Sequence, residues 1–284
     1  MTPSLRSAIA LLTTLPAAAF AASVNFDTAG DLSSNFNVIP QFNSTNNTNG
    51  FSESPGSGGI STSPGSVAYN QLATNDATAV FLPQSFSFAT DGVSLNETFY
   101  FHLGTAAIAS AQRVLQLGFL AGNSAGLNGT TNQAVGTAFT SLRVNTPSAA
   151  GNSYTFELQD KTATGSTATA GATNVALTLG DWYSLSITLT NAPGVDTYTM
   201  TGSLQDLGTT GITPIGAPVV FAPLTRTLAG IDTTLYGAFR GNNVNNVTNY
   251  DTYSVTTSVP EPATAAFLLF GGLALSVNRR RRTV

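Results

Sequence analysis

The chain has no cysteine, one histidine, one tryptophan and only 8% charged residues. Each scarcity closes a class of function. Without cysteine there is no disulfide, no thiolate metal site, no thiol nucleophile and no lipid-bearing cysteine behind a leader, so stability rests on burial and backbone pairing. With His102 alone, a conventional zinc centre is excluded as well. Lysine and glutamate are nearly missing between the two ends, which removes the residues from which long amphipathic helices are built. In residues 22–258 the cations Arg113, Arg143, Lys161, Arg226 and Arg240 face thirteen acids, and five minus thirteen gives a net charge of −8. That surface repels polyanions, and nucleic-acid binding is excluded for want of clustered Lys and Arg.

What is present is Thr, Ser, Asn, Gly and β-branched or aromatic residues, arranged with period two. In Glu97 to Leu103, Phe99, Phe101 and Leu103 share one face while Thr98, Tyr100 and His102 share the other. In Trp182 to Thr190, Tyr183, Leu185, Ile187 and Leu189 alternate with Trp182, Ser184, Ser186, Thr188 and Thr190. The same pattern predicts strands near Val114–Leu120, Ala138–Val144, Tyr154–Leu158, Thr197–Leu204, Leu235–Arg240 and Asp251–Thr256. Gly, Asn, Asp and Pro clusters separate them, so the expected fold is all-β, an antiparallel β-sandwich or jelly roll. Asn43–Ser66 and Thr162–Asn174 are too polar and glycine-rich to pack and are expected to be long loops within one domain, residues 23–258.

The two ends read differently. Residues 1–22 have one early cation, Arg6, an apolar stretch and the small-residue site Ala19-Phe20-Ala21, the layout of a signal peptide cleaved after Ala21 or Ala22. Residues 259–284 hold Pro260-Glu261-Pro262, an apolar span over 263–277 and then Arg279, Arg280, Arg281 and Arg282. As a helix that span is roughly 22 Å long against a hydrocarbon core of about 30 Å, so it is a marginal single transmembrane helix. The arginines extend it and stay on the cytoplasmic side, which places the domain outside.

Both parts resemble known families. "NFDTAGDLSSNF", "LGDWYSLSITL", "DTYTMTGSL" and "TLYGAFRGN…NYDTYSV" are similar to laminin-G-like, concanavalin A-like jelly rolls of secreted bacterial proteins, a resemblance that supports fold more than function. The order Pro-Glu-Pro, apolar span, terminal arginines resembles the PEP-CTERM sorting signal of Gram-negative bacteria. It implies recognition by an exosortase, transient insertion in the inner membrane and transfer to the cell surface or extracellular matrix, often beside exopolysaccharide in biofilms. Glu261 would then be part of a recognition element.

Catalytic patterns are incomplete. "GNSAG" places Ser124 in a G-x-S-x-G motif, but a turn follows it and no histidine comes later to act as base. Jelly-roll glucanases need two carboxylates on one strand face. Glu157 and Asp160, three apart, fall on opposite faces, Glu53 lies in the polar loop, and Glu97 has no acidic companion on its strand. The oxygen-rich stretches around Asp91 and Asn96, or Asn249 and Asp251, could hold calcium, although Asp and Asn are also ordinary turn residues. Tyr100, His102, Gln116 and Trp182 fall on the polar faces of their strands, where an aromatic ring can stack on a sugar; the alternative is a small satellite cluster under a loop. The sequence thus predicts a non-catalytic exported protein that is structural or binds polysaccharide. A polysaccharide-cleaving enzyme and a self-associating adhesion or surface-layer protein are the alternatives.

Overall fold

The computed structural model describes residues 21–41, 51–69, 77–105, 113–122, 138–146, 151–164, 167–242 and 247–259. In chain order these form β1 (Ala21–Val24), α1 (Asp31–Asn35), β2 (Asn37–Gln41), β3 (Phe51–Ser54), β4 (Ser66–Tyr69), β5 (Ala77–Phe81), β6 (Phe86–Ser87) and β7 (Ser94–Leu103). There follow β8 (Arg113–Leu120), β9 (Phe139–Asn145), β10 (Ser153–Lys161), β11 (Thr167–Ala176), β12 (Trp182–Asn191), β13 (Thr197–Gly208), β14 (Ile215–Thr227), β15 (Thr234–Asn242) and β16 (Val247–Ser258). Phe20–Ser258 is a compact unit. Two antiparallel sheets of eight strands make it up. Sheet I runs β14-β13-β12-β7-β16-β4-β3, with β1 on β16; sheet II runs β11-β10-β9-β8-β15-β5-β2, with β6 on β15.

Alternation along the strands creates the core. In β7, Leu95, Glu97, Phe99, Phe101 and Leu103 are buried and the residues between them half-buried, and β12 repeats this from Tyr183 to Asn191. Between the sheets Phe99 stacks on Tyr250 with ring centroids 5.2 Å apart and meets Phe239 of the opposite sheet at 4.2 Å. Tyr253 and Phe36 pack edge-on against the same group. Such aromatic contacts add to the stabilisation from buried area.

Two polar ties lie in this interior. Tyr198 on β13 donates from its hydroxyl to Asp160 on β10 at 2.8 Å. Tyr253 donates to Glu97, whose side chain is wholly buried. Burial drives the Glu97 pKa well above the ordinary carboxylate value, against the opposing pull of bonds from Tyr253 and the Ala238 backbone. Gly237 makes room for Glu97: a Cβ there would lie 2.5 Å from the Tyr253 hydroxyl.

Both predicted loops contain strands. Thr167–Ala176 forms β11, paired with β10 from Lys161↔Thr167 to Ser153↔Ala176 with one irregularity between Phe156 and Leu158. Its Thr and Ala side chains are small, yet the backbone ladder needs no bulk, and the bulge accommodates the glycine-containing stretch. Within Asn43–Ser66, Phe51–Ser54 is β3, paired with β4 around the turn between them, while 43–50 lie outside the described residues. β14, thirteen residues long and largely exposed, has no apolar alternation to announce it. It is an edge strand that carries Pro218 and Pro223, which edge positions tolerate.

Candidate functional site

The outer face of sheet I is open along its central strands. Strand register places Ser254, Thr98, Ser186 and Ser203 in one row across β16, β7, β12 and β13. The next row is Thr256, Asn96, Thr188 and Thr201, and the third is Ser258, Ser94, Thr190 and Thr199, continued on β14 by Thr225. None of these side chains is buried and none is ionic. Hydroxyls pair across the strands, Ser94 with Thr190 and Thr98 with Ser186 at 2.8 Å, and Thr199 with Thr225 at 3.0 Å. Adjacent strands lie about 4.8 Å apart and every second residue about 6.8 Å along, so the grid is regular in both directions.

At one end of this face Tyr100, His102 and Trp182 come together. Trp182 and His102 are register partners with ring centroids 5.2 Å apart, and Trp182, only 4% exposed, packs with Ile60 and Leu207 as Tyr100 leans on the group. Trp182 is therefore roofed by the turn that carries Ile60, and the satellite-cluster alternative is the one the structure takes for this residue. Gly211 closes the roof: its φ is +75°, and a Cβ would meet Ile60 at 2.3 Å and Trp182 at 3.1 Å. Half-buried Tyr100 and His102 stay at the rim. Burial lowers the His102 pKa, opposed by its bond to the Gly180 carbonyl at 3.1 Å and by the charge of Asp181. The imidazole is neutral at pH 7.

Asp251 holds the roof down. Its carboxylate accepts the Ile60 N–H at 2.9 Å, the Thr252 N–H at 2.5 Å and the Ser63 hydroxyl at 3.3 Å. Burial pushes its pKa up to about 6 although all these bonds favour the ionised form. Ser63 also donates to Asp27, which accepts the Gly65 N–H at 2.7 Å. Asp251 thus spends its oxygens on backbone and hydroxyl donors of this turn. Of the other residues considered for calcium, Asn96 donates to Thr188 at 3.3 Å, Asn249 is half-buried on β16, and Asp91 is exposed in the turn before β7. Among the described residues no group of three or more His, Asp or Glu could hold a metal ion.

Gln116 does not join this site. It lies on β8 of sheet II, 2% exposed, in a row between Arg240 and Arg143, and donates to Ser141 at 2.7 Å and Gln159 at 3.2 Å. The alternation that set Gln116 apart from Leu115 and Leu117 did not show that its own face of sheet II is buried, with Leu120, Phe139 and Ala238 packed there. Arg143 pairs with Glu157 on the same face, while Asp160 points into the core. Glu53 accepts the Gly30 N–H at 2.8 Å and the Leu32 N–H, fixing the start of α1. Ser124, residues 1–20 and the tail from Pro260 to Arg282 lie outside the described residues. No helix among the described residues is long and apolar enough to cross a membrane.

Comparison with known proteins agrees with both halves of this picture. The family of the PEP-CTERM protein-sorting motif matches residues 258–282. The structure is similar to peanut lectin solved with a nine-residue peptide, at 10% identity and a TM-score of 0.51, covering 87% of this chain and 100% of the lectin. Basic winged bean lectin with Tn-antigen gives 10% and 0.51 over 86% of this chain and 100% of its own. Arcelin-5, a lectin-like defense protein from Phaseolus vulgaris, gives 10% and 0.50 over 85% and 99%. At these identities the likeness is one of fold alone. No curated protein matches the sequence. The chain carries a PEP-CTERM protein-sorting motif, the mark of an exported protein sorted through the membrane to the cell surface, behind a concanavalin A-like β-sandwich with the architecture of the legume lectins.

Proposed function

We propose that this is a non-catalytic protein of a Gram-negative bacterium, handed by its tail to an exosortase in the inner membrane and placed on the cell surface or in the extracellular matrix, where its sandwich binds polysaccharide. The observation that carries the binding reading is the open face of sheet I, whose half-exposed hydroxyls and rim tyrosine offer sugars hydrogen-bond partners and a ring to stack on. The non-catalytic reading draws support from the engagement of the glutamates: Glu53 with the backbone of α1, Glu97 with Tyr253 and Glu157 with Arg143. None has a second carboxylate on its strand face within the roughly 5–10 Å that glycoside hydrolysis requires.

The test is incubation of the chain, kept in mild detergent, with a panel of insoluble and soluble polysaccharides, reading retention and newly formed sugar ends together. Retention without new ends is the expected result. New ends would show the enzyme alternative to be right, and absence of retention on every polymer would leave a structural or self-associating role.

A further inference from the structure

We infer that the polysaccharide is uncharged and lies extended on the three hydroxyl rows of sheet I, with acidic polymers rejected; this rests on the binding reading above and specifies its ligand class and its location. The three rows carry no ionisable side chain over four adjacent strands, and the acid in register on this face, Asp251 opposite Tyr100, is buried under the turn that carries Ile60. Such rows suit an occupant that carries no charge of its own.

The chemistry of the rows names that occupant. Each Ser or Thr hydroxyl has one proton and two lone pairs. The cross-strand pair Ser94–Thr190 consumes one proton between two oxygens, which leaves it a donor and acceptors for an outside hydroxyl, while Thr98, which donates to Asn96 at 3.2 Å, and Ser186 keep acceptor lone pairs. A sugar hydroxyl, itself donor and acceptor, fits either vacancy without paying to desolvate an ion. A protein partner fits poorly: interface centres are enriched in aromatics, Met and Arg and depleted in Ser. A membrane surface would want cations or a broad apolar patch, and these rows have neither. A uronate or sulfated polymer would meet no cation here and would approach against the field of a body with net charge −8, five cations against thirteen acids.

The experiment measures apparent affinity of the detergent-held chain for cellulose and hydroxyethylcellulose against alginate and polygalacturonate, with Thr225→Glu on exposed β14 and Thr188→Lys in the centre of the grid. Expected is retention on the neutral polymers only, weakened tenfold or more by each substitution, with unchanged thermal unfolding for Thr225→Glu. Retention on neutral polymers that neither substitution weakens would overturn the location while leaving polysaccharide binding intact. Stronger retention on the acidic polymers would overturn the ligand class. Absence of retention on all four would overturn the inference together with the reading on which it rests.

Discussion

Glu97 is a carboxyl group with no access to water, and its behaviour with pH can be worked out in advance. Its carboxyl accepts from Tyr253 and the Ala238 backbone, while Oε2 has no partner. Because its folded-state pKa is raised, stability is greatest below the unfolded-state value of about 4.3 and declines as pH rises from there toward the folded-state value. The slope in that window is about 1.4 kcal/mol per pH unit. For a unit of this size 1 kcal/mol moves Tm by about 2–4 °C, so the decline is about 3–5 °C per unit. Glu97→Gln keeps the shape and cannot ionise, but adds an amide N–H without an acceptor, a cost of about 1–3 kcal/mol at every pH. The variant should therefore melt below the wild type at pH 4 and gain on it as the pH rises above the unfolded-state value. Calorimetry at single-unit steps reads this directly. A difference between the two proteins that stays constant from pH 4 to 8 would refute the reasoning, because it would mean that Glu97 ionises as a solvated carboxyl does.

Other outcomes follow from the same contacts. Asp251→Ala frees the Ile60 N–H while the Ser63 hydroxyl keeps Asp27 and the Asn25 carbonyl as acceptors, costs about 1.5–3 kcal/mol, and should shift the emission of the single tryptophan, Trp182, to the red as its roof loosens. In the wild type, raising the pH from about 4 to about 6, where this carboxylate ionises in the folded state, should cost stability, with no further change from this group above that. Tyr198→Phe leaves buried Asp160 without its donor and should lower stability by about 1–3 kcal/mol, seen as a lower denaturation midpoint with an unchanged m-value. Replacing Pro260, Glu261 and Pro262 by alanine should hold the full-length protein in the inner membrane, read by fractionation, and normal surface delivery would count against the sorting role.

Strands that bury one face were legible in the sequence, since Phe99, Phe101 and Leu103, or Leu185, Ile187 and Leu189, mark the core by alternation alone. β11 was not, because a strand of Thr, Ala and Gly at a sheet edge buries too little to show a pattern. Nor was β14, exposed along most of its length and interrupted by prolines. For the site, parity along a strand gave the outward set correctly, including Tyr100 and the alternate residues of β12. Parity does not say which strands share a sheet, so Gln116 was grouped with residues on the opposite side of the molecule. The roof over Trp182 was equally hidden, because Ile60 and Gly211 reach it from distant segments of chain. The sorting tail was the most legible part, being a short linear pattern that a partner reads without the fold.

β16, the last described strand, lies inside sheet I, flanked by β7 on one side and by β4 and β1 on the other. A chain threaded outward from its N-terminus therefore lacks the middle of that sheet until almost its whole length has crossed, and β1 waits for Thr256 and its neighbours through the entire passage. Contacts of such sequence separation form slowly. The match to the sorting motif begins at residue 258, the residue that ends β16. Two extended residues span at most about 7 Å, so there is almost no slack between the sheet and Pro260. Recognition of Pro260-Glu261-Pro262, so few residues from the sheet, would therefore depend on whether β16 has already paired.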